Sequence, residues 1–287
     1  MRRCLACSAA VTGPSWDCTA CGFTPERHAT YTSFISGDGR GGFEGHFFDH
    51  LVQDEPGFWW FESRNDLIAW ALRRWFADMR SFLEIGCGTG FVVSRVAREF
   101  PDVRIAASEL FGEAMPHVAR RVPEAELYEL DAREIPFREE FDVVGAFDVI
   151  EHIDEDERVL DEVGRALRPG GGLIVTVPQH PWLWSSNDDY AHHKRRYTRG
   201  SLGAVLERTG YRIIAMRSFV ALLMPLLVAS RLTAQRALQH DPRAEFRISR
   251  TVNAALTRVM ALERAAIRRG VSFPIGGSLL AVAQRRI

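Results

Sequence analysis

From residue 81 onward the chain repeats one pattern, a short apolar run, a glycine or acidic turn, then an amphipathic stretch. "SFLEIG" reads as a buried strand and "FVVSRVAREF" as a helix with one apolar face. "VRIAASE" is the next strand, and "GEAMPHVARRV" a helix with a proline near its start. "AELYELD" and "FDVVGAFD" are strands, "EDERVLDEVGRALR" is an amphipathic helix stopped by Pro169 and three glycines, and "GLIVTVP" is another strand. Alternation of this kind builds a mostly parallel, doubly wound α/β sheet with helices on both faces. It also limits where a ligand can sit: outside the carboxyl ends of the strands, near the reversal of strand order.

"YRIIAMRSF" (211–219) and "GSLLAVAQR" (277–285) bring the expected sheet to seven strands. The roughly 57 residues between them are far too many for a hairpin, so a helical insertion is expected over about 220–275. Upstream, "TYTSFISGDGRGGFEG" is glycine-rich and polar, and residues 31–54 read as a linker. "PGFWWFESRNDLIAWALRRWF" follows with Leu67, Ile68, Ala71, Leu72 and Trp75 at helical spacing; it either packs a helix onto the main domain or caps a pocket. The α/β domain is therefore assigned to 55–287.

Four of the five cysteines form two C-x-x-C pairs, Cys4/Cys7 and Cys18/Cys21, with ten residues between them. Two such knuckles suit tetrahedral structural Zn2+, and a segment of 1–30 has too little core to order itself without a metal. A zinc-ribbon-like module is the expectation. An apolar fraction of 46% and a net charge of −1 describe a globular protein with no broad attraction for nucleic acid or anionic membrane. The longest apolar run, "FVALLMPLLVAS", is too short to span a bilayer, so a cytoplasmic protein is expected. Residues 219–232 retain two alternatives, a peripheral membrane contact or a dimer contact.

Chemistry is expected at the strand ends. "EIGCGTG" places Gly86, Gly88 and Gly90 at alternate positions, which lets backbone approach a ligand closely. The spacing departs from the dinucleotide fingerprint, and no lysine follows to make a triphosphate loop. Glu109, 23 residues beyond Gly86, ends the next strand where an acid can bind both hydroxyls of a ribose. Asp131 ends the third strand, placed to accept from an adenine amino group. Together these residues describe an adenosine pocket.

"FLEIGCGTG", "SELF", "ELDAREIPF", "FDVVGAFDVIEHI" and "ALRPGGGLIVTVP" resemble, in order, the motifs of the class I S-adenosylmethionine-dependent methyltransferases. The resemblance implies a Rossmann-like seven-stranded fold with a reversed last strand, and S-adenosyl-L-methionine as cofactor. It implies that Gly86, Cys87 and Gly88 line the methionine end, that Gly90 belongs to the same cofactor-binding turn, that Glu84 orients the amino group and that Arg64 pairs with the carboxylate. Glu109 would bind the ribose, Leu110 would lie against the adenine, Asp131 and the Ala132 amide would read its edge, and Phe147 with Asp148 would close the near side. Candidate catalytic residues are His152, Asp148 and His193. Histidine titrates near neutrality and can accept a proton at working pH.

The run "AHHKRRYT" (191–198) lies between the fifth strand and a helix for which Thr198 or Ser201 can supply the cap. It resembles an H-x-R-R-Y-T-type lid, which makes His180, His192, Arg196 and Tyr197 substrate-binding candidates. A metal site with His180 and Glu151 or His152, and an RNA-contacting patch, are the alternatives. A methyltransferase with an N-terminal ribbon is also similar to ribosomal RNA guanine methyltransferases, although the neutral charge offers little phosphate-binding surface. Trp59, Trp60, Trp182 and Trp184 favour a small or amphipathic metabolite as methyl acceptor. A non-enzymatic module that only binds cofactor is the third reading.

Overall fold

The computed structural model describes residues 1–13, 15–35, 46–234 and 247–286. Its core is a nine-stranded sheet. Two short strands, β1 (Arg2–Arg3) and β2 (Ala10–Val11), pair separately as a small antiparallel ribbon. β3 (Glu26–Arg27) and β4 (Thr32–Ser33) follow, then helices α1 (His46–Asp54) and α2 (Trp59–Trp75). The alternating part runs β5 (Ser81–Ile85), α3 (Phe91–Glu99), β6 (Arg104–Glu109), α4 (Met115–Arg121), β7 (Glu126–Glu129), β8 (Phe141–Phe147), α5 (Asp156–Ala166) and β9 (Leu167–Pro178). The chain closes with α6 (Ser186–Tyr190), α7 (Arg199–Arg208), β10 (Tyr211–Phe219), α8 (Met224–Ala234), α9 (Arg250–Arg268) and β11 (Ser278–Arg285).

The strand order is β10-β11-β9-β8-β5-β6-β7-β4-β3. β5 to β9 are mutually parallel, while β11 runs antiparallel to both β9 and β10. The seven expected strands are present, reversed last strand included. Order reverses between β5 and β8, since the chain leaves β5 toward β6 and β7 and then returns to β5's other side; this fixes the ligand crevice at their carboxyl ends.

Alternation along each strand sorts side chains onto the two faces. Leu83 and Ile85 of β5 pack with Val159, Leu160 and Val163 of α5 and Leu202 and Leu206 of α7. Phe82 faces the opposite way, into a second cluster with Leu67, Ile68 and Leu72 of α2, Val93 and Val96 of α3, and Met260 of α9. Glu84 shares that second direction and is 2% exposed. An acid buried beside an apolar cluster needs a partner, and this one points to function.

Two boundaries differ from the sequence expectation. Residues 31–54 are not a plain linker: Thr32–Ser33 adds to the edge of β7 in parallel, and 46–54 are helical. Nor does the ribbon stand apart. Trp16 is buried among Phe34, Tyr128 and Phe137, with ring centroids 4.8, 5.8 and 5.4 Å away, so it belongs to the domain's own core. Composition could not show this, because the pairing joins residues about 100 positions apart in sequence. In the insertion, α8 and α9 are helical, and 235–246 lie outside the described residues. Asn253 of α9 caps the start of α2, accepting from the Trp59 amide at 2.9 Å and donating to the Gly57 carbonyl at 2.8 Å.

Candidate active site

The turn after β5 carries Gly86, Gly88 and Gly90 at φ of +64°, +52° and +80°, a region side-chain-bearing residues rarely adopt. A Cβ at Gly86 would lie 2.6 Å from Val149, whereas one at Gly88 would meet nothing within 4 Å. The first glycine therefore serves packing, and the second leaves its backbone open to a ligand. Glu55 braces the turn from outside: Thr89 donates to it at 2.6 Å and Arg121 at 2.6 Å. Glu55 lies next to the supposed linker, where neither periodicity nor a motif could reveal it.

Glu109, at the end of β6, accepts the Gly88 amide at 2.9 Å and the Leu110 amide at 2.7 Å. Burial raises its pKa against those bonds. Glu84 is pushed well above the carboxylate range, first by burial, with Arg64 opposing, and its Oε2 has no hydrogen-bond partner. Arg64, buried on α2, stacks over Trp60 at 4.5 Å and pairs with Asp148, whose φ is +57°. Burial also lifts the Cys87 thiol well above its usual value.

Beyond Asp148, a single helical turn positions Glu151 and His152. Glu151 is fully buried, and neither carboxylate oxygen has a hydrogen-bond partner; burial first, then the Asp148 charge, drives its pKa far upward. The His152 ring meets the His193 ring edge to face at 4.6 Å. Burial, then the neighbouring His193, brings His152 down to about 4, leaving the imidazole neutral at physiological pH. More buried polar atoms without partners stand at the end of β9: Thr176 Oγ1, both atoms of the Gln179 amide, and His180 Nε2. Native interiors rarely leave such groups unsatisfied, and a set of them at adjacent strand ends marks a ligand site.

Asp188 organises the segment over this end of the sheet. Its buried carboxylate accepts from His193 Nδ1 at 2.8 Å, from Arg196 Nε and Nη2 at 2.7 and 3.0 Å, and from the Ser185 amide at 2.8 Å. Burial alone would raise its pKa, but hydrogen bonds from His193 and Arg196 outweigh that and hold it far below the ordinary value. The Lys194 amide donates to the Glu151 carbonyl at 2.7 Å, and the Tyr197 amide to Pro178 at 2.9 Å. Thr198 and Ser201 cap α7 reciprocally, so both cap candidates act.

The expected residues divide by placement. Glu84, the three glycines, Glu109 and Leu110 surround the β5–β6 ends, while Arg64, Asp148, Glu151, His152 and His193 form a continuous series toward the segment over β9. Asp131 is engaged by Arg133 at 2.6 Å, which holds its pKa down against the effect of burial. Ala132 is buried beside it. Phe147 turns its ring into the core against Phe82 and Gly145 rather than outward. Tyr197 is 3% exposed and donates to Asp156 at 2.6 Å, and the Arg196 fork is spent on Asp188. Those two sequence candidates anchor the segment; the spacing of H-x-R-R-Y-T does not distinguish an anchor from a contact. Of the adjacent histidines, His193 faces inward and His192 is exposed at φ of +56°.

At the N-terminus the four cysteine sulfurs converge. Cys4 and Cys21 Sγ are 3.7 Å apart, Cys7 and Cys18 Sγ 3.6 Å apart, and all four lie within 4.8 Å of one another. Four thiolates around one zinc at about 2.3 Å stand about 3.8 Å apart, so the set fits that ion. Backbone donors, the Cys21 amide foremost, bring the Cys18 thiol down to about 7.

A family described as a methyltransferase domain matches residues 83–175. The "Probable S-adenosylmethionine-dependent methyltransferase" of Mycolicibacterium smegmatis is 29% identical over 54% of this chain and 60% of its own length. A dTDP-4-amino-2,3,4,6-tetradeoxy-D-glucose N,N-dimethyltransferase of Saccharopolyspora spinosa is 30% identical over 45% of this chain and 54% of its own. Among solved structures, the cyclase SpnF superposes with a TM-score of 0.57 at 18% identity, covering 86% of this chain and all of SpnF. Phosphoethanolamine N-methyltransferase 2 of Haemonchus contortus, solved with S-adenosyl-L-methionine, gives 0.55 at 19% identity, covering 86% of this chain and 61% of its own. Residues 83–175 thus match a methyltransferase-domain family, and the described chain shares the fold of these solved structures. It spans roughly half to three-fifths of the length of the mycobacterial relatives it matches. One structural neighbour is named a cyclase, so the fold alone does not decide the chemistry.

Proposed function

We propose that this protein is an enzyme that transfers the methyl group of S-adenosyl-L-methionine to a small or amphipathic metabolite. The observation that supports this most is the set of partnerless buried polar atoms on Glu84, Glu151, Thr176, Gln179 and His180, gathered at the carboxyl ends of β5, β8 and β9 beside the glycine turn. The bound cofactor supplies an electrophilic methyl on a sulfonium, which a nucleophile takes in line.

The chain's own contribution is position. Glu84 holds the amino end of the methionine, and Arg64 turns from Asp148 to its carboxylate. Gly86, Cys87, Gly88 and Gly90 let the backbone approach, Glu109 binds the ribose, Leu110, Asp131 and Ala132 shape the adenine end, and Phe147 backs the near side from within the core. Asp148, His152 and His193 face the acceptor, where a proton is lost. His180 and His192 contact the acceptor, while Arg196 and Tyr197 hold the closing segment in place. Trp182, 59% exposed and tilted against His180 with ring centroids 5.4 Å apart, offers an apolar rim for an amphipathic acceptor. Holding the two reactants in line supplies most of the rate enhancement open to such a site. Zn2+ on Cys4, Cys7, Cys18 and Cys21 is structural in this reading.

Incubating the protein with methyl-tritiated cofactor and a fractionated cell extract tests it. Label in the small-molecule or organic fraction is expected. Label in ribonuclease-sensitive material would replace the metabolite with RNA, and no label in any fraction despite micromolar cofactor binding would refute methyl transfer.

A further inference from the structure

We propose that Glu151, His152 and His193 form a divalent-cation site on the acceptor side of the pocket. One ligand atom from each lies within 4.8 Å of the other two. Ligands bound at about 2.1 Å around one tetrahedral ion stand roughly 3.4 Å apart, so the trio encloses an ion after closing by no more than about 1.4 Å.

Three features distinguish it from a chance meeting of polar groups. Glu151 is 0% exposed with two partnerless oxygens. The guanidinium groups that act on it are committed elsewhere, Arg64 to Asp148 and Arg196 to Asp188. A buried, unpaired carboxylate is expensive, and a cation removes the expense. Each histidine is held from behind. His193 Nδ1 is fixed by Asp188 at 2.8 Å, leaving Nε2 as its ligand atom, and the His152 ring bonds the Ala191 carbonyl. Carboxylate and carbonyl partners of this sort orient histidines toward a metal. Finally, the set holds two nitrogens and one oxygen. Three protein ligands leave open positions, as reactive rather than purely structural sites do, and suit Mn2+, Fe2+, Co2+ or Zn2+.

This deepens the methyl-transfer reading and, for its catalytic part, rests on it. The acceptor class becomes one that presents a hydroxyl or carboxylate oxygen to the ion. A hydroxyl so held gives up its proton to solvent more readily. Its oxygen then forms the O–CH3 bond as the S–CH3 bond breaks, and the donor leaves as a neutral thioether.

The test uses the full-length, zinc-loaded protein and Mn2+ followed by water-proton relaxation, since a hard ion does not compete for four thiolates. One equivalent of Mn2+ should bind in wild type and Glu157→Gln, an exposed control, and bind at least tenfold more weakly in Glu151→Gln and His193→Ala. Melting gives a second readout. Without added ion Glu151→Gln should melt at or above wild type, because it replaces a buried carboxyl that has no partner, and Mn2+, Co2+ or Zn2+ should raise the midpoint of wild type but not of Glu151→Gln. Equal Mn2+ binding in wild type and Glu151→Gln, or no ion-dependent shift in wild type, would overturn the site. Saturable binding lost in Glu151→Gln but no methylated product in any fraction would uphold the site and sink the methyl-transfer reading. Product formation indifferent to ion removal would overturn the catalytic part.

Discussion

Asp188→Asn tests whether one carboxylate holds the segment over the pocket. Asp188 is 1% exposed and Arg196 7%, and the acid also fixes His193. The substitution keeps the shape, removes the charge, and turns an amide donor toward donors that Asp188 now satisfies. Breaking a buried, hydrogen-bonded ion pair from one side costs about 3–5 kcal/mol. The segment can open without unfolding the sheet, so the loss should appear mainly as local opening. Converted, it is roughly a 150- to 5,000-fold loss of hydrogen-exchange protection at the Lys194 and Tyr197 amides, which bond Glu151 and Pro178 across the segment. Amides in β5 and β8 should change far less. The sign with pH follows from the lowered pKa of Asp188: its contribution is complete above the unfolded carboxylate value, near 4, and is lost only as pH falls through the depressed folded value. The difference between wild type and Asp188→Asn should therefore be flat from about pH 5 to 8 and shrink in stronger acid. Protection at Lys194 and Tyr197 unchanged within threefold would refute the assignment of Asp188 as anchor.

Other perturbations have equally definite outcomes. Stripping metal with a chelator, or Cys18→Ser, should release about one equivalent of zinc by atomic absorption and lower the melting midpoint of the whole domain, because Trp16 sits in the shared core. Glu109→Ala should weaken cofactor binding at least tenfold by calorimetry while leaving the circular dichroism spectrum unchanged. Glu263 accepts the amides of Val220, Ala221 and Leu222 at 2.6, 2.7 and 2.7 Å. Glu263→Ala should thus cost about 2–3 kcal/mol in urea unfolding, the penalty of leaving charge-assisted bonds unmade at a buried turn.

The doubly wound sheet was legible because its signal is local and repeated: apolar strands, glycine turns and amphipathic helices each declare themselves within a dozen residues. The acids at strand ends were legible for a related reason, since topology tells where a strand-end side chain must go. What stayed hidden depends on contacts across long sequence separations. Glu55 bracing Thr89, Asp188 gathering His193 and Arg196, and Thr32–Ser33 joining β7 are settled only when distant segments meet. Tyr197 shows the limit of motif reading, for its hydroxyl turned to Asp156 instead of the pocket, and no spacing rule separates those outcomes. The same holds for Gln179, an unremarkable residue in sequence whose amide is left without a partner by the fold around it.

The short strand β4, which follows the N-terminal module and lies along β7, also bears on solubility. A sheet ending at β7 would present an open row of backbone donors and acceptors beside Leu127 and Tyr128, a surface on which another molecule can pair. With β4 in place the sheet ends instead at β3, two residues long, both charged and exposed. That ending is too brief and too polar to template further strands. A chain begun at residue 55 would lose this protection, and its first failure should be self-association at the bared edge rather than loss of the fold.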